Sequence, residues 1–335
     1  MDYVMQADIP KIVFIGGTGR CGTNITKDIL SQHPKVATHP FEYRFIIDPD
    51  GIVDFYRSYT ATWSPYLADR RLKRLENLLA ALSREPAYHH WLGKLLKQFD
   101  KSGKIISPRR YYGWRLDRHL PNFREHSQAL IEELMDFSFS ARWVGTESYT
   151  YHPQIYFAGP KRDEELATIL GKFVNKVILD FLKFQNKEFY VEDNTWNFLF
   201  ARELLQLAPQ SKLLHIYRDP RDVVASFVQQ NWAPSELCQA AEWYKTMMYH
   251  WFNIREQLPV GSYYEYSLES LVDSPKQTLE NLCKFVGLSY DPIFLEVDLS
   301  KSHQGRWRED FDIDEQKILQ KILGDVIAKL GYKEL

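Results

Sequence analysis

Cysteine is scarce in this chain of 335 residues, and the scarcity argues against two kinds of structure. The three cysteines, Cys21, Cys238 and Cys283, lie far apart in the sequence. A disulfide framework or a structural zinc site needs more cysteines at closer, paired spacing. We therefore predict a cytoplasmic protein without a metal site, whose stability comes from a packed core.

The chain also lacks long hydrophobic runs and an excess of charge of one sign. No apolar stretch approaches the length of a transmembrane helix, and those near the N-terminus are too short for a signal peptide. The formal net charge is -2, so composition offers no broad basic surface for nucleic acid or an anionic membrane. We predict no nucleic-acid partner and no membrane span, and any site for an anion must be local.

Short apolar runs alternate with helical patterns towards both ends of the chain. Runs typical of strands lie at 11–15, 35–38, 189–192, 212–217 and 262–266. Helical spacing follows several of them, at 25–30, 196–207 and 275–286, and the last of these patterns ends at Gly287. Strand, loop and helix in that order predict an α/β fold, with a central parallel sheet and flanking helices.

The region between Glu42 and Glu188 has a different pattern. Leucines recur at helical spacing between positions 72 and 82, and apolar residues do so again between 166 and 182. Residues 107–160 are rich in Tyr, Trp, Arg and His without a clear period. With 44% hydrophobic residues the chain can build one large core. We interpret 55–187 as a large, mainly helical insertion in a single domain 1–335, one that shapes the site of an acceptor substrate.

The first functional motif follows the first predicted strand. Residues 16–24 have the sequence GGTGRCGTN. A glycine-rich turn between a strand and a helix exposes backbone N–H groups at the positive end of the helix dipole, which forms a cradle for an anion. The common nucleoside-triphosphate loop continues with Lys and Ser or Thr, whereas Thr23 and Asn24 follow Gly22 here and the cation is Arg20. This difference argues against magnesium-ATP as the ligand and favours a ligand that has one phosphate with another group attached to it.

A second segment with anion-binding character is YRDPRDVVAS at 217–226. Arg218 is at the carboxyl end of a predicted strand, where open α/β sheets bind their ligands. Asp219 can cap the next helix, with Pro220 at its first position. Ser226 lies two turns further on the helix face that begins at Asp219, so Arg218 and Ser226 can converge on one anion.

Together the two segments resemble the sulfotransferases that use 3′-phosphoadenosine 5′-phosphosulfate (PAPS). The family's 5′-phosphosulfate loop has the form K/R-S-G-T-T, and residues 20–24 match it with Cys21 and Asn24 as departures. The family's 3′-phosphate motif is an Arg at a strand end followed by a Ser at the spacing of Arg218 and Ser226. The resemblance implies that PAPS, and its product adenosine 3′,5′-bisphosphate (PAP), contact Gly19, Arg20, Cys21, Gly22, Thr23, Asn24, Arg218 and Ser226.

Two later segments extend the resemblance. YEYSLESLV at 264–272, running on to FVGL at 285–288, is similar to the Y-E-x-L…F-L-G segment of the family. GRW at 305–307 is similar to the family's motif near the C-terminus, Gly followed by Arg or Asp and then Trp, whose preceding loop closes over the 3′-phosphate. The resemblance therefore implies a fold like that of P-loop NTPases and adds three residues to the donor site: Lys301, Gly305 and Arg306.

The resemblance also implies the reaction, an in-line attack of an acceptor hydroxyl on the sulfuryl group without a metal ion. Charge on the leaving phosphate must be neutralised, for which Arg20 is the candidate, and a general base must take the hydroxyl proton. PFEYR at 40–44 is similar to the E-x-R of tyrosylprotein sulfotransferases and bacterial relatives, in which Glu is the base. Glu42 is therefore our preferred base, with Arg44 orienting it or contacting the acceptor. The rival is His119, whose surroundings look like the K-x-H-L-P of cytosolic sulfotransferases.

Three interpretations of function remain open from the sequence. The favoured one is a sulfotransferase acting on a hydroxylated acceptor, with a small molecule or a glycan preferred. A P-loop kinase for a small hydroxyl compound is the first alternative, and magnesium-dependent ATP turnover would identify it. The second is a nucleotide-binding protein without catalysis, which would bind PAP and transfer to no acceptor.

Overall fold

The computed structural model describes residues 9–40, 42–83, 111, 114–141, 153–299 and 303–334. Contacts divide the chain into two compact units. The first, called the sheet unit here, comprises residues 11–42, 187–205 and 209–335. The second, called the helical unit, comprises 43–186 and 206–208 together with the residues before Lys11.

A five-stranded sheet forms the centre of the sheet unit, and all of its strands are parallel. The strands are β1 (Lys11–Gly16), β2 (Val36–Thr38), β5 (Phe189–Glu192), β6 (Lys212–Tyr217) and β7 (Tyr263–Ser267), numbered along the chain. Their spatial order is β2-β5-β1-β6-β7, so the strand before the glycine-rich loop lies between β5 and β6. Ile12 to Ile15 are all buried, as expected for a central parallel strand covered on both faces. The predicted α/β fold with a central parallel sheet is confirmed.

Helices follow the strands of the sheet unit, as the sequence pattern predicts. They are α1 (Thr23–Ser31), α8 (Ala201–Leu207, which begins in this unit), α9 (Pro220–Phe227), α10 (Leu237–Arg255), α11 (Leu268–Asp273), α12 (Pro275–Val286), α13 (Trp307–Asp310) and α14 (Ile313–Lys329). Two 3₁₀ helices are added to these, Thr195–Phe200 and Pro292–Glu296. Gly287 ends α12 in the left-handed conformation (φ 78°), so the predicted glycine cap is confirmed.

The helix predicted over 196–207 is wrong in its first half, where residues Thr195–Phe200 form a 3₁₀ helix. The side chain of Asn194 accepts the N–H of Trp196 at 3.1 Å. The side-chain amide of Asn197 donates to the carbonyl of Ile15 in β1 at 3.0 Å. Short polar side chains that bond to nearby backbone compete with regular helix, and the tighter 3₁₀ turn accommodates these bonds.

The helical unit contains, among its described residues, α2 (Arg44–Ile47), α3 (Ile52–Ala61), α4 (Pro65–Ser83), α5 (Leu116–His119), α6 (Phe123–Leu134) and α7 (Asp163–Gln185). An antiparallel hairpin of β3 (Phe137–Ser140) and β4 (Gln154–Phe157) completes it. Three acidic residues in the first turn of α7 complement the helix dipole. The helices predicted at 72–82 and 166–182 are confirmed, whereas residues 107–110, 112–113 and 142–152 of the aromatic-rich segment lie outside the described residues.

The described ranges contain neither a membrane-spanning helix nor a cluster of metal ligands. No helix there has both the length and the hydrophobicity to cross a membrane. The same ranges contain no group of three or more His, Cys, Asp or Glu side chains that could hold a metal ion. The metal-free reaction implied by the sequence stays a prediction.

Candidate active site

The loop between β1 and α1 passes so close to its neighbours that it requires glycine. A Cβ atom added to Gly17 would lie 2.5 Å from both Sγ of Cys21 and the carbonyl oxygen of Ile216. Gly17 also donates its N–H to the carbonyl of Thr195 at 3.0 Å, which connects the loop to the segment after β5. Ile216, near the end of β6, and Thr195, after β5, therefore fix the backbone of this loop from both sides.

Three residues of the loop have positive φ angles: Gly19 at 84°, Arg20 at 57° and Gly22 at 109°. A positive φ is uncommon for a residue with a side chain, so the arginine conformation is set by its surroundings. Left-handed residues in a turn direct successive N–H groups into a concavity that binds anions. Because α1 begins directly afterwards at Thr23, the positive end of its dipole adds to the same site.

Cys21 is fully buried in this loop. Burial raises the pKa of the Cys21 thiol to about 11. The thiol is therefore protonated at neutral pH and serves as a small packing group, because only the thiolate is strongly nucleophilic. Of the next residues in the motif, Thr23 is buried whereas Asn24 is exposed.

The structure brings together the two anion-binding segments predicted from the sequence. Nε of Arg20 donates to Oγ of Ser226 at 2.8 Å. Nη1 of Arg218 donates to the carbonyl of Arg20 at 3.4 Å. Ser226 and Arg218 are buried, whereas Arg20 is exposed. Asp219 caps α9 through the N–H of Arg221, as the sequence predicts.

Arg218 is held by three partners and retains one unmatched donor. Besides the bond to Arg20, its Nη2 donates to the carbonyl of His303 and lies 3.3 Å from a carboxylate oxygen of Asp222. Its Nε is buried and has no hydrogen-bond partner among the described residues. A buried unmatched donor costs free energy, and an anionic oxygen at this position would remove that cost. Guanidinium groups suit phosphate and sulfate because their N–H groups match the oxygen geometry of these anions.

Asp222 is a central residue of the site that the sequence analysis missed. Its side chain is almost fully buried and pairs with Arg218. The same carboxylate accepts the N–H of Gly305 at 2.7 Å and that of Trp307 at 3.1 Å. Asp222 therefore connects the GRW segment to the start of α9. Its position four residues after Arg218 is the signal that could have identified it, because residues at this spacing near a helix are neighbours.

Two of the three C-terminal residues predicted to contact the donor, Gly305 and Arg306, have partners within the protein. Gly305 gives its N–H to Asp222, and Arg306 forms an ion pair with Asp310 at 2.7 Å. Lys301 lies outside the described residues. A direct contact of these three residues with a 3′-phosphate stays a prediction.

The two candidate bases lie in different units. Glu42 belongs to the sheet unit, and His119 is an exposed residue at the end of α5 in the helical unit. Arg44 begins α2 in the helical unit, with Nη1 3.5 Å from a carboxylate oxygen of Asp48. The choice of Glu42 over His119 as the base, and the role of Arg44, stay predictions.

Two contacts that the sequence analysis also missed hold α1 against the sheet. Nζ of Lys27 lies 2.9 Å from a carboxylate oxygen of Asp193, which follows β5. Oγ1 of Thr26 shares a 2.6 Å hydrogen bond with the hydroxyl of Tyr266 in β7. Burial raises the pKa of the Tyr266 phenol, so this group stays protonated. Both contacts fix the helix whose N-terminus forms part of the candidate anion site.

Solved structures similar to this chain include several sulfotransferases. The sulfotransferase domain from the curacin biosynthetic pathway gives a TM-score of 0.47 at 15% identity, covering 98% of this chain and 100% of that chain. The sulfotransferase domain of the Synechococcus PCC 7002 olefin synthase gives a TM-score of 0.47 at 17% identity, covering 98% of each. A sulfotransferase from Mycobacterium avium gives 0.42 at 12% identity, covering 98% of this chain and 79% of that one.

A comparison with curated protein sequences gives no match. The model of the sulfotransferase family, in contrast, matches residues 10–292 of this chain. The matched range begins at β1 and includes the glycine-rich loop, the segment with Arg218 and Ser226, and the last strand of the sheet. The chain therefore belongs to the sulfotransferase family.

Proposed function

We propose that this protein transfers the sulfuryl group of PAPS to a hydroxyl of an acceptor and releases PAP. The observation that carries the proposal is the convergence of Arg20, Arg218 and Ser226 beside the N-terminus of α1. Membership of the sulfotransferase family supports sulfuryl transfer as the class of reaction. A hydroxylated small molecule or a glycan is the proposed acceptor.

The residues of the site fit a donor that has phosphate groups at two positions. Arg218, through its unmatched Nε, and Ser226 are proposed to hold the 3′-phosphate. The backbone N–H groups of residues 19–24 and the Arg20 side chain are proposed to hold the 5′-phosphosulfate. When bound, PAPS supplies an activated sulfuryl group joined to a phosphate leaving group. The absence of Lys-Ser or Lys-Thr after Gly22 makes the loop a poor site for magnesium-ATP.

In this reaction the protein has two tasks. The acceptor oxygen forms a bond to sulfur while the bond from sulfur to the phosphate oxygen breaks, so negative charge develops on the phosphate. Arg20 and the loop N–H groups stabilise that charge. The hydroxyl proton passes to the general base, which we assign to Glu42 with Arg44 as its orienting group and with His119 as the alternative base. Neither task requires a metal ion.

Calorimetric titration with PAP, AMP and magnesium-ATP tests the proposed donor. Hydrogen bonds to charged groups contribute about 1.5–3 kcal/mol, so we expect PAP to bind at least about tenfold more tightly than AMP. Arg218→Ala should abolish this preference. Arg202→Ala, which removes an exposed arginine bonded to Gln257, is the matched control and should preserve it.

Each other outcome of the titration has a defined meaning. If magnesium-ATP binds as tightly as PAP, the proposal of a sulfotransferase is wrong and the kinase alternative takes its place. A PAP preference that survives Arg218→Ala would show that the 3′-phosphate is held elsewhere. Tight PAP binding without transfer to any acceptor would identify a nucleotide-binding protein that lacks catalysis.

A further inference from the structure

Trp232, in the turn after α9, is half exposed although two aromatic side chains pack against it. Its ring centroid lies 5.6 Å from that of Phe227 and 6.1 Å from that of Trp243, with angles of 74° and 65° between the ring planes. Steeply inclined contacts of this kind fix the orientation of an aromatic ring. The surface of this tryptophan that remains open is therefore held in a defined position.

The same ring contacts the glycine-rich loop. A Cβ atom added to Gly19 would lie 2.9 Å from Cη2 of Trp232 and 3.4 Å from Cγ2 of Thr195. Gly19 directly precedes Arg20, the cation proposed to stabilise the leaving phosphate. The indole therefore lies against the backbone that is proposed to hold the reactive end of the donor.

The contacts of the ring place it within the site. Thr195 follows β5 and Arg218 follows β6, and these strands flank β1 on opposite sides. Trp232 meets the loop at Gly19, which Thr195 also approaches, and it packs on Phe227, the residue after Ser226 in α9. The proposed 3′-phosphate contacts at Arg218 and Ser226 are on the β6 side. The ring therefore lies beside the loop proposed to hold the 5′-phosphosulfate, and its packing on Phe227 also brings it near the proposed 3′-phosphate segment.

We propose that Trp232 is a specificity-determining residue that stacks on a flat ring of the acceptor, an inference that rests on the proposed function. A tryptophan offers a large apolar face with only two side-chain torsions, so little entropy is lost when a ligand stacks on it. An aryl ring and the C–H face of a pyranose both complement such a surface. Stacking holds the hydroxyl of the acceptor beside the loop, and it favours ring-bearing acceptors over aliphatic alcohols.

Saturation-transfer NMR with three probes tests this inference: 4-methylphenol, methyl β-D-glucopyranoside and 1-butanol. We expect the wild-type protein to bind at least one ring-bearing probe more strongly than butanol, and the probe that binds separates an aryl acceptor from a sugar. Trp232→Ala should weaken that binding about threefold to tenfold, and Trp232→Phe should retain part of it. Leu295→Ala, which truncates another half-exposed apolar side chain, is the matched control and should leave probe binding unchanged.

PAP affinity, measured by calorimetry on the same variants, shows whether Trp232 contacts the acceptor or the nucleotide of the donor. We expect it to be unchanged in Trp232→Ala. Weakened PAP binding with intact binding of the ring probe would assign the indole to the base of the nucleotide and overturn the inference. A wild-type protein that binds no ring-bearing probe, or a stably folded Trp232→Ala variant that binds the probe equally well, would also overturn it. Probe binding is measured with and without PAP, so a failure of PAP to bind counts against the proposed function alone.

Discussion

Nε of Arg20 donates to Oγ of Ser226 across 2.8 Å and joins segments that are 206 positions apart in the sequence. The two residues meet because β1 and β6 are neighbours in the sheet, and each residue belongs to the connection or helix that follows its strand. The carboxyl edge of a parallel sheet collects such residues into one site. The contact therefore links the proposed 5′-phosphosulfate loop to the proposed 3′-phosphate segment.

Ser226→Ala should weaken the binding of PAP by about tenfold, because one hydrogen bond to a charged group is removed and Arg20 loses its acceptor. Calorimetric titration measures the change. Ser31→Ala is a matched control, since Ser31 ends α1 and bonds only to the carbonyl of Asp28 among the contacts described for it. An unchanged PAP affinity in Ser226→Ala would contradict the proposed role of this hydroxyl.

Glu42→Gln should lower kcat by at least about a hundredfold, because the amide cannot accept the proton of the acceptor hydroxyl. PAP affinity should remain at the wild-type value, since the substitution keeps the shape of the side chain. The rate is measured as transfer of labelled sulfuryl group from PAPS to an acceptor found with the ring-bearing probes.

His119→Ala is the companion variant for this assignment. If Glu42 is the base, His119→Ala should turn over at close to the wild-type rate. A near-normal rate in Glu42→Gln together with a large loss in His119→Ala would reverse the assignment.

The parallel strands could be predicted because each is a short apolar run next to a turn, which is a local property of the sequence. β5 and β6 have the predicted bounds, and the others differ from prediction by a residue at one or both ends. Arg218 and Ser226 could be placed for the same reason. The intervening Asp219 caps a helix directly after a strand, and this geometry depends only on neighbours in the sequence.

The contacts that complete the site could not be predicted from such patterns. Asp222 binds the N–H of Gly305, Lys27 pairs with Asp193, and Trp232 lies against Gly19. Each contact joins residues from separate segments, so it depends on strand order and helix packing, which periodicity does not specify. The 3₁₀ turn at Thr195–Phe200 was missed for a similar reason, since it follows from a side-chain bond to β1.

Asp222→Ala should lower the free energy of unfolding by about 3–5 kcal/mol, because it leaves the buried Arg218 without its carboxylate partner. Two backbone N–H groups, of Gly305 and Trp307, lose their acceptor at the same time. Urea unfolding measures the change. Asp310→Ala removes a more exposed carboxylate, paired with Arg306, and should cost no more than about 1 kcal/mol. Equal losses in the two variants would show that Asp222 has no special structural role.

The surroundings of Glu265 in β7 predict how the stability of the protein changes at acidic pH. Burial alone would raise the pKa of its carboxyl, but the hydrogen bond and charge of His215, the indole of Trp251 and the guanidinium of Arg255 lower the pKa to about 2. A carboxyl with a lower pKa in the folded state contributes stability above its unfolded pKa, and this contribution is lost as the pH falls through the folded pKa. The free energy of unfolding should decrease from about pH 4.5 to pH 2, with at most about 3 kcal/mol from this group.

Glu265→Gln tests the assignment of this acid sensitivity. The variant should be less stable than the wild type at neutral pH, because the partly buried carboxylate makes bonds to His215 at 3.0 Å and Arg255 at 2.8 Å. Its free energy of unfolding should depend less on pH between about 4.5 and 2. Urea unfolding at several pH values in this range measures both effects, and identical slopes in the two proteins would assign the acid sensitivity to other carboxylates.

The ion pair of Lys27 and Asp193 connects α1, which follows the glycine-rich loop, to the segment after β5. Asp193 is buried, and two residues later Thr195 accepts the N–H of Gly17 at 3.0 Å. Lys27→Met should lower the free energy of unfolding by about 3 kcal/mol, because it leaves a buried carboxylate unpaired. The double variant Lys27→Met/Asp193→Asn should lose less, and a double-mutant cycle in urea gives the coupling energy.

A variant in which the two charges are exchanged distinguishes a structural role of the ion pair from a direct contact of Lys27 with the transferred group. If the pair acts by holding the loop in place, Lys27→Met weakens PAP binding and the exchanged variant Lys27→Asp/Asp193→Lys recovers both stability and PAP affinity. If Lys27 itself contacts the transferred group, the exchanged variant recovers stability and PAP affinity while kcat stays low. We expect the first result, because Lys27 lies within α1 and reaches back to the residue after β5. A coupling energy near zero would show that the pair supports neither the fold nor the loop.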